Sequence, residues 1–247
     1  MSIVRTAPAD PRGRTRRIAV VNSNSSAVVT RQLADTVEPA LLPGTEAIFV
    51  NPERGPAGID SRLDVAIAAV EGALVVHDLA GDVDAVVLAC GNDPGLEAAR
   101  EGTDRPVVGI AEAGFLQACA YGPRFSVAVL APRKVADMRR LVRGYGLGDR
   151  LASIVAAESS SRAAASAPQE LLEQLVAACS GLGDDELGDA LVLTGSVMGR
   201  IAPELSAAIG RPVVSGLLAG VRMAETLADV RRAAPAAALR THPKEDS

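Results

Sequence analysis

The sequence predicts an α/β protein of two similar lobes, each a largely parallel sheet flanked by helices. Three observations carry that expectation. Short aliphatic runs alternate with longer helical patterns along the 247 residues, and parallel strands need such crossovers. The aliphatic runs are continuous, as in strands covered by helices on both faces. The second half also repeats the first. Cys90 precedes Pro106 by 16 positions and Gly195 precedes Pro212 by 17, each time through a small polar turn and a helix into Arg-Pro-Val-Val. An ordered series of such matches marks duplication.

Residues 1–15, rich in Pro and Arg, are expected as a flexible tail. Arg16-Arg17-Ile18-Ala19-Val20-Val21 reads as a buried strand ending in the polar loop Asn22-Ser23-Asn24-Ser25-Ser26. A helix follows over residues 27–41, with Val28, Leu33, Val37 and Leu41 inward. Glu46-Ala47-Ile48-Phe49-Val50 is the second strand, and the Pro- and Gly-rich residues 51–59 form a loop. A helix over 61–79 places Leu63, Ile67, Val70 and Leu74 toward the core. Asp84-Ala85-Val86-Val87-Leu88-Ala89 is a strand running into Cys90-Gly91-Asn92-Asp93-Pro94-Gly95, and residues 105–110 make the fourth.

In the second half, residues 125–130 read as a strand before Ala131-Pro132 and a helix through Val142. The segment 144–148 is a terminating loop, 154–157 a short strand and 169–180 a helix. Residues 189–194 then lead into Gly195-Ser196-Val197-Met198, and 211–216 form the last strand. The loops after Val21, Ala89, Leu130 and Thr194 lie at strand carboxyl ends and are expected to converge on the cleft. The domain division expected is tail 1–15, first lobe 16–118, second lobe 119–212, a segment 213–235 returning to the first lobe, and a flexible tail 236–247.

The five aromatic residues, Phe49, Phe115, Tyr121, Phe125 and Tyr145, leave the core to aliphatic packing. A formal net charge of -5 gives no electrostatic reason to bind nucleic acid. The basic run Arg12, Arg14, Arg16, Arg17 reads as solvated tail. There is no apolar stretch of membrane-spanning length and no secretory signal pattern. Three cysteines at irregular spacing match neither a disulfide framework nor a metal site. These features favour a cytoplasmic protein without metal or membrane attachment, and leave homo-oligomerisation open.

Cys90 stands where a buried strand gives way to a Gly-Asn-Asp-Pro-Gly turn. Backbone donors at Gly91 and Asn92, with the helix that follows, are expected to favour its thiolate and to hold an anion. A packed, inert thiol is the competing reading. Cys119 and Cys179 fall within helical patterns and read as packing residues, and His77 as a helix-end group. Asn22 and Ser25 either bind a substrate carboxylate or carbonyl, or close a self-satisfied turn. No Gly-rich phosphate loop is present, so no nucleotide cofactor is expected.

Taken together, Val20-Val21-Asn22-Ser23-Asn24-Ser25, Gly55-Pro56, residues 88–96 and 106–113, and Pro212-Val213-Val214 resemble the aspartate/glutamate racemase superfamily, particularly its hydantoin racemase branch. The resemblance covers most of residues 17–230. It implies a cofactor-independent site between the lobes, where two cysteines work on opposite faces of one substrate carbon. Cys90 matches the first of them, while Asn22, Ser25 and Asn92 match positions that hold substrate polar groups. The second cysteine is missing: the family turn Gly-Cys-Ala-Gly-Met reads Thr194-Gly195-Ser196-Val197-Met198 here. Ser215 also replaces an aspartate common after the final strand.

The resemblance therefore implies racemase or isomerase chemistry, by proton transfer at a carbonyl-activated carbon of an amino-acid derivative such as a hydantoin. The partner is a small carbonyl- or carboxylate-containing substrate. Candidate catalytic residues are Cys90 and Ser196, with Asn22, Ser25, Gly91, Asn92, Thr194 and Gly195 binding substrate. A single-cysteine lyase or decarboxylase, or a non-catalytic ligand-binding member, are the alternatives.

Overall fold

The computed structural model describes residues 15–234 and the backbone of 4–6. The first sheet holds β1 (Val4–Thr6), β2 (Arg16–Val21), β3 (Thr45–Val50), β4 (Ala85–Leu88) and β5 (Val107–Gly109) in the order β1-β3-β2-β4-β5. Its helices are α1 (Ala27–Val37), α2 (Arg62–Leu79), α3 (Leu96–Glu101) and α4 (Ile110–Ala118). The second sheet has β6 (Phe125–Val129), β7 (Leu151–Ala156), β8 (Ala190–Leu193) and β9 (Val213–Ser215) in the order β7-β6-β8-β9. With it go α5 (Val135–Gly144), α6 (Ser161–Ser166), α7 (Pro168–Ser180), α8 (Asp184–Leu187), α9 (Ala202–Ile209) and α10 (Gly216–Ala233).

All pairings but β1–β3 are parallel. Omitting β1, the two sheets share one order, in which the first strand of each half sits between the second and third. The order reverses between β2 and β4 and again between β6 and β8. A crevice opens at the carboxyl ends of such strand pairs, so topology brings the Asn22 and Cys90 loops together in one lobe and the Ala131 and Thr194 loops together in the other, and the lobes face each other there. The sheets are aliphatic, as their runs require: Ile18 to Val21, Ala85 to Leu88 and Ala190 to Leu193 are fully buried. Phe115 on α4 stacks on Phe125 of β6 with ring centroids 5.6 Å apart, joining the lobes.

Several expectations are corrected. Val4–Thr6 is an antiparallel edge strand on β3 inside the stretch expected as a loose tail; the rest of 1–14, and 235–247, lie outside the described residues. β9 pairs with β8, so the chain returns to the first lobe at Gly216 and not at 213. Ile110 begins α4 instead of ending β5. On α2 the faces are exchanged: Ala68, Gly72, Val76 and Leu79 are buried, while Leu63, Ile67, Val70 and Leu74 are exposed. The helix is apolar on both sides, and close approach decides between them. At Gly72 the helix lies close enough to the sheet layer that a Cβ would meet Ser23 and Leu88 at ordinary contact distance, and Ala68 and Gly72 pack there with Val76 and Leu79. Val28 is likewise exposed, at the cleft. No helix among the described residues is long and apolar enough to cross a membrane.

Candidate active site

A cavity of about 470 Å³ lies between the lobes at the strand ends, within the range of small-molecule sites. The β4 turn contributes Ala89, Cys90, Gly91 and Asn92, and the β8 turn Thr194 to Met198. These turns touch through main chain. A Cβ at position 91 would stand 2.5 Å from the Thr194 carbonyl oxygen and 2.7 Å from its carbon, so only glycine fits there.

Cys90 is half-buried. Burial pushes its thiol up to about 11, against the Asn92 backbone N–H and the Lys134 charge, which pull it down; Asp93 adds to the rise. The donor at Asn92 is therefore present as expected, yet desolvation outweighs it, and the thiol is protonated at neutral pH. One consequence is measurable. Iodoacetamide should alkylate Cys90 about tenfold more slowly at pH 7 than an ordinary thiol with the reference value of 9.0, because only thiolate reacts and its greater basicity offsets part of its scarcity. Peptide mapping separates Cys90 from Cys119, and alkylation at the ordinary rate would contradict this electrostatic picture.

Asn22 and Ser25 do not line the cavity. The Asn22 side chain is buried and donates to Asn24 Oδ1 at 3.0 Å, the Ser26 carbonyl at 3.2 Å and Thr30 Oγ1 at 3.1 Å. It also accepts from the Asn24 N–H. Ser25 Oγ donates to the Gly55 carbonyl at 3.1 Å. The self-satisfied turn is thus what the structure shows, and the residues presented to the cavity are their neighbours Asn24 and Ser26. The Thr194 hydroxyl is turned to the Ala128 carbonyl at 3.4 Å, leaving the Thr194 backbone at the wall. Ser196 begins a 3₁₀ turn, and Gly195 precedes it at φ -68, ψ 128, a conformation open to any residue.

Residues 57–60 roof the cavity. Lys134 Nζ donates to the Ile59 carbonyl at 2.8 Å and pairs with Asp60 at 3.6 Å, while Ser161 Oγ reaches Asp60 at 3.3 Å. Gln32 Nε2 donates to the Ala165 carbonyl at 3.2 Å. Each of these contacts spans the two lobes. Lys134, Gln32 and Arg162 line the site without having been singled out from sequence. Lys134 had a signal, since it follows the third converging strand end by four residues. Gln32 and Arg162 sit on helices α1 and α6 and had none. Among the described residues no cluster of His, Cys, Asp or Glu could hold a metal ion.

A duplicated α/β fold whose strand-end turns meet across a cavity, a thiol on one of them, is the architecture of an enzyme of racemase or isomerase type. The family model described as Asp/Glu/Hydantoin racemase matches residues 18–224, and the chain belongs to that family. It is 36% identical over 213 residues to the hydantoin racemase of Paenarthrobacter aurescens, covering 85% of this chain and 90% of that one. It is 34% identical over 216 residues to that of Pseudomonas sp. (strain NS671), covering 87% and 86%. The solved allantoin racemase from Klebsiella pneumoniae superposes with a TM-score of 0.82 at 31% identity, over 94% of this chain and 96% of that one.

Proposed function

We propose that this enzyme transfers a proton at the ring carbon between carbonyl and nitrogen, C5, of a 5-substituted hydantoin or a closely related ureide. The observation that carries the reading is that Cys90 and the Gly195-Ser196 turn line one cavity from two turns in main-chain contact. The names of the relatives support the substrate class. The apolar wall of Ile59, Val129, Leu130 and Met138 suits the 5-substituent, and Asn24, Ser26 and Asn92 suit the ring's polar groups.

In the reaction the C5–H bond breaks, Cys90 sulfur takes the proton, and the electron pair passes into the adjacent carbonyl as an enolate. Burial makes the Cys90 thiolate scarce but strongly basic, and its thiol returns a proton to the same face. Return from the other face falls to the Ser196 hydroxyl or to water, because Gly195 has no side chain and Thr194 is committed elsewhere. An unactivated hydroxyl is a weak acid. Exchange on the Cys90 face is therefore expected to outrun racemisation.

Each enantiomer of a 5-substituted hydantoin, incubated in deuterated water, tests this by NMR and polarimetry. Deuterium should enter C5 of one enantiomer at least about tenfold faster than optical rotation decays. Absence of both exchange and rotation change across alkyl, aryl and ureido substituents would overturn the reading. The bare Gly195 also favours a second reading, decarboxylation of an activated acid with Cys90 protonating one face. Release of carbon dioxide from a malonate-type acid, with a single product enantiomer, would identify it.

A further inference from the structure

Asp93 lies three residues beyond Cys90 and is the one non-glycine residue with positive φ among those described, at 44°. Aspartate tolerates that region better than most residues, and here the carboxylate is held from three sides. Its Oδ1 accepts from the Ala111 N–H at 3.0 Å, and its Oδ2 from the Glu112 N–H at 2.8 Å and the Tyr145 hydroxyl at 2.8 Å. Gly109 makes room for it, since a Cβ there would lie 2.4 Å from the Asp93 carboxyl carbon. Ala111 and Glu112 open α4, the segment leading from the first sheet to the second. Tyr145 ends α5 in the second lobe and leans on Phe115, with centroids 6.1 Å apart.

The Asp93 N–H in turn donates to the Cys90 carbonyl at 2.9 Å, and Asn92, whose backbone N–H favours the Cys90 thiolate, is fixed between the two. We propose that Asp93 is a positioning residue for Cys90, its carboxylate pinning the thiol-bearing turn to the interlobe helix and, through Tyr145, to the second lobe. This rests on the reading of Cys90 as the proton-transfer group.

The carboxylate form is required, because a protonated Asp93 cannot accept all three bonds. Burial pushes it up to about 6 in spite of its donors, with Glu112 raising it further. Glu112 is itself paired with Arg100. Arg62 from α2, Glu97 from α3, and Asp137 and Arg140 from α5 line the adjacent open cavity. The sign follows: clamp and activity are present above about 6 and lost as pH falls through it.

The test compares the wild type with Asp93→Asn and Tyr145→Phe, reading kcat, KM and the pH profile of kcat/KM on a hydantoin, and the pH midpoint of Cys90 alkylation. Wild-type kcat/KM should fall below about pH 6. Asp93→Asn should lower kcat about 100-fold with little change in KM, as misplacement does, and should lose that acid limb. Its alkylation midpoint should drop below about 11, because a neighbouring negative charge is gone. Tyr145→Phe keeps the charge but removes one donor, so the limb should move to higher pH. A folded Asp93→Asn protein with wild-type kcat and an unmoved limb overturns the proposal. If that variant fails to fold, an unmoved limb in Tyr145→Phe overturns it. Alkylation needs no substrate. Should every hydantoin be refused, an unchanged midpoint in Asp93→Asn, or, if that variant fails to fold, an Asp93 carboxyl titration followed by NMR that does not move to higher pH in Tyr145→Phe, still rejects the clamp, separately from the substrate reading.

Discussion

Cys90→Ala is expected to lower turnover on an accepted hydantoin by about a thousandfold, within the usual span for loss of a general acid or base, while leaving the fold unchanged. Cys90 stands at the cavity wall, and alanine occupies part of the same space without disturbing the Gly91 contact. Chemically the loss is large because no other cysteine lines the cavity: Cys179 is buried in α7 and Cys119 caps α4. Circular dichroism melts would confirm folding, and deuterium uptake at C5 would report the chemistry. A folded variant that exchanges C5 at near the wild-type rate would show that Cys90 is neither acid nor base.

The second large effect is a gain. Installing a thiol at Gly195 should raise interconversion of enantiomers about 100-fold, a typical contribution from one positioned acid or base, with deuterium then entering from both faces. The backbone permits it, since Gly195 has ordinary extended angles. The obstacle is Met198, whose sulfur would lie 2.7 Å and Cγ 2.9 Å from the new Cβ. Met198 is fully buried, and a flexible thioether can yield only if there is room. The informative protein is therefore Gly195→Cys combined with Met198→Val. If it folds, its new thiol reacts with iodoacetamide from the cavity and racemisation is unchanged, position 195 does not face the substrate carbon opposite Cys90.

Much of this architecture was legible in the residues. The Arg-Pro-Val-Val repeat and the apolar runs located both sheets, and the rule of strand carboxyl ends named the four loops that meet at the cavity. What escaped depended on distance between layers. The α2 stripe of Leu63, Ile67, Val70 and Leu74 has the period of a buried face, yet the closeness of the helix to Ser23 and Leu88 turns Ala68 and Gly72 inward, and no periodicity reports that spacing. Cys90 and the β8 turn line the cavity, as expected from the strands that aim them. Asn22 and Ser25 bond within their own loops instead of lining the cavity, for a subtler reason. A polar loop at a strand end is needed whether it binds substrate or satisfies itself, and which of Asn22 and Asn24 faces the cavity is settled by one bond rotation per residue. The thiol's proton affinity was misjudged in the same way, since donors are visible in a turn but the depth of burial is not.

The contact between Gly91 and the Thr194 carbonyl sets a gauge. On the reading proposed for Cys90 and the 195–196 turn, the gap between them is set by main chain against main chain, not by the side chains at 195 and 196. Reaction type and scaffold are thereby uncoupled. A bare hydrogen, or a thiol once Met198 is made smaller, can be fitted to one jaw while the other stays at the same reach. The same contact closes position 91 itself to drift, because any side chain there would widen the gap for every chemistry at once.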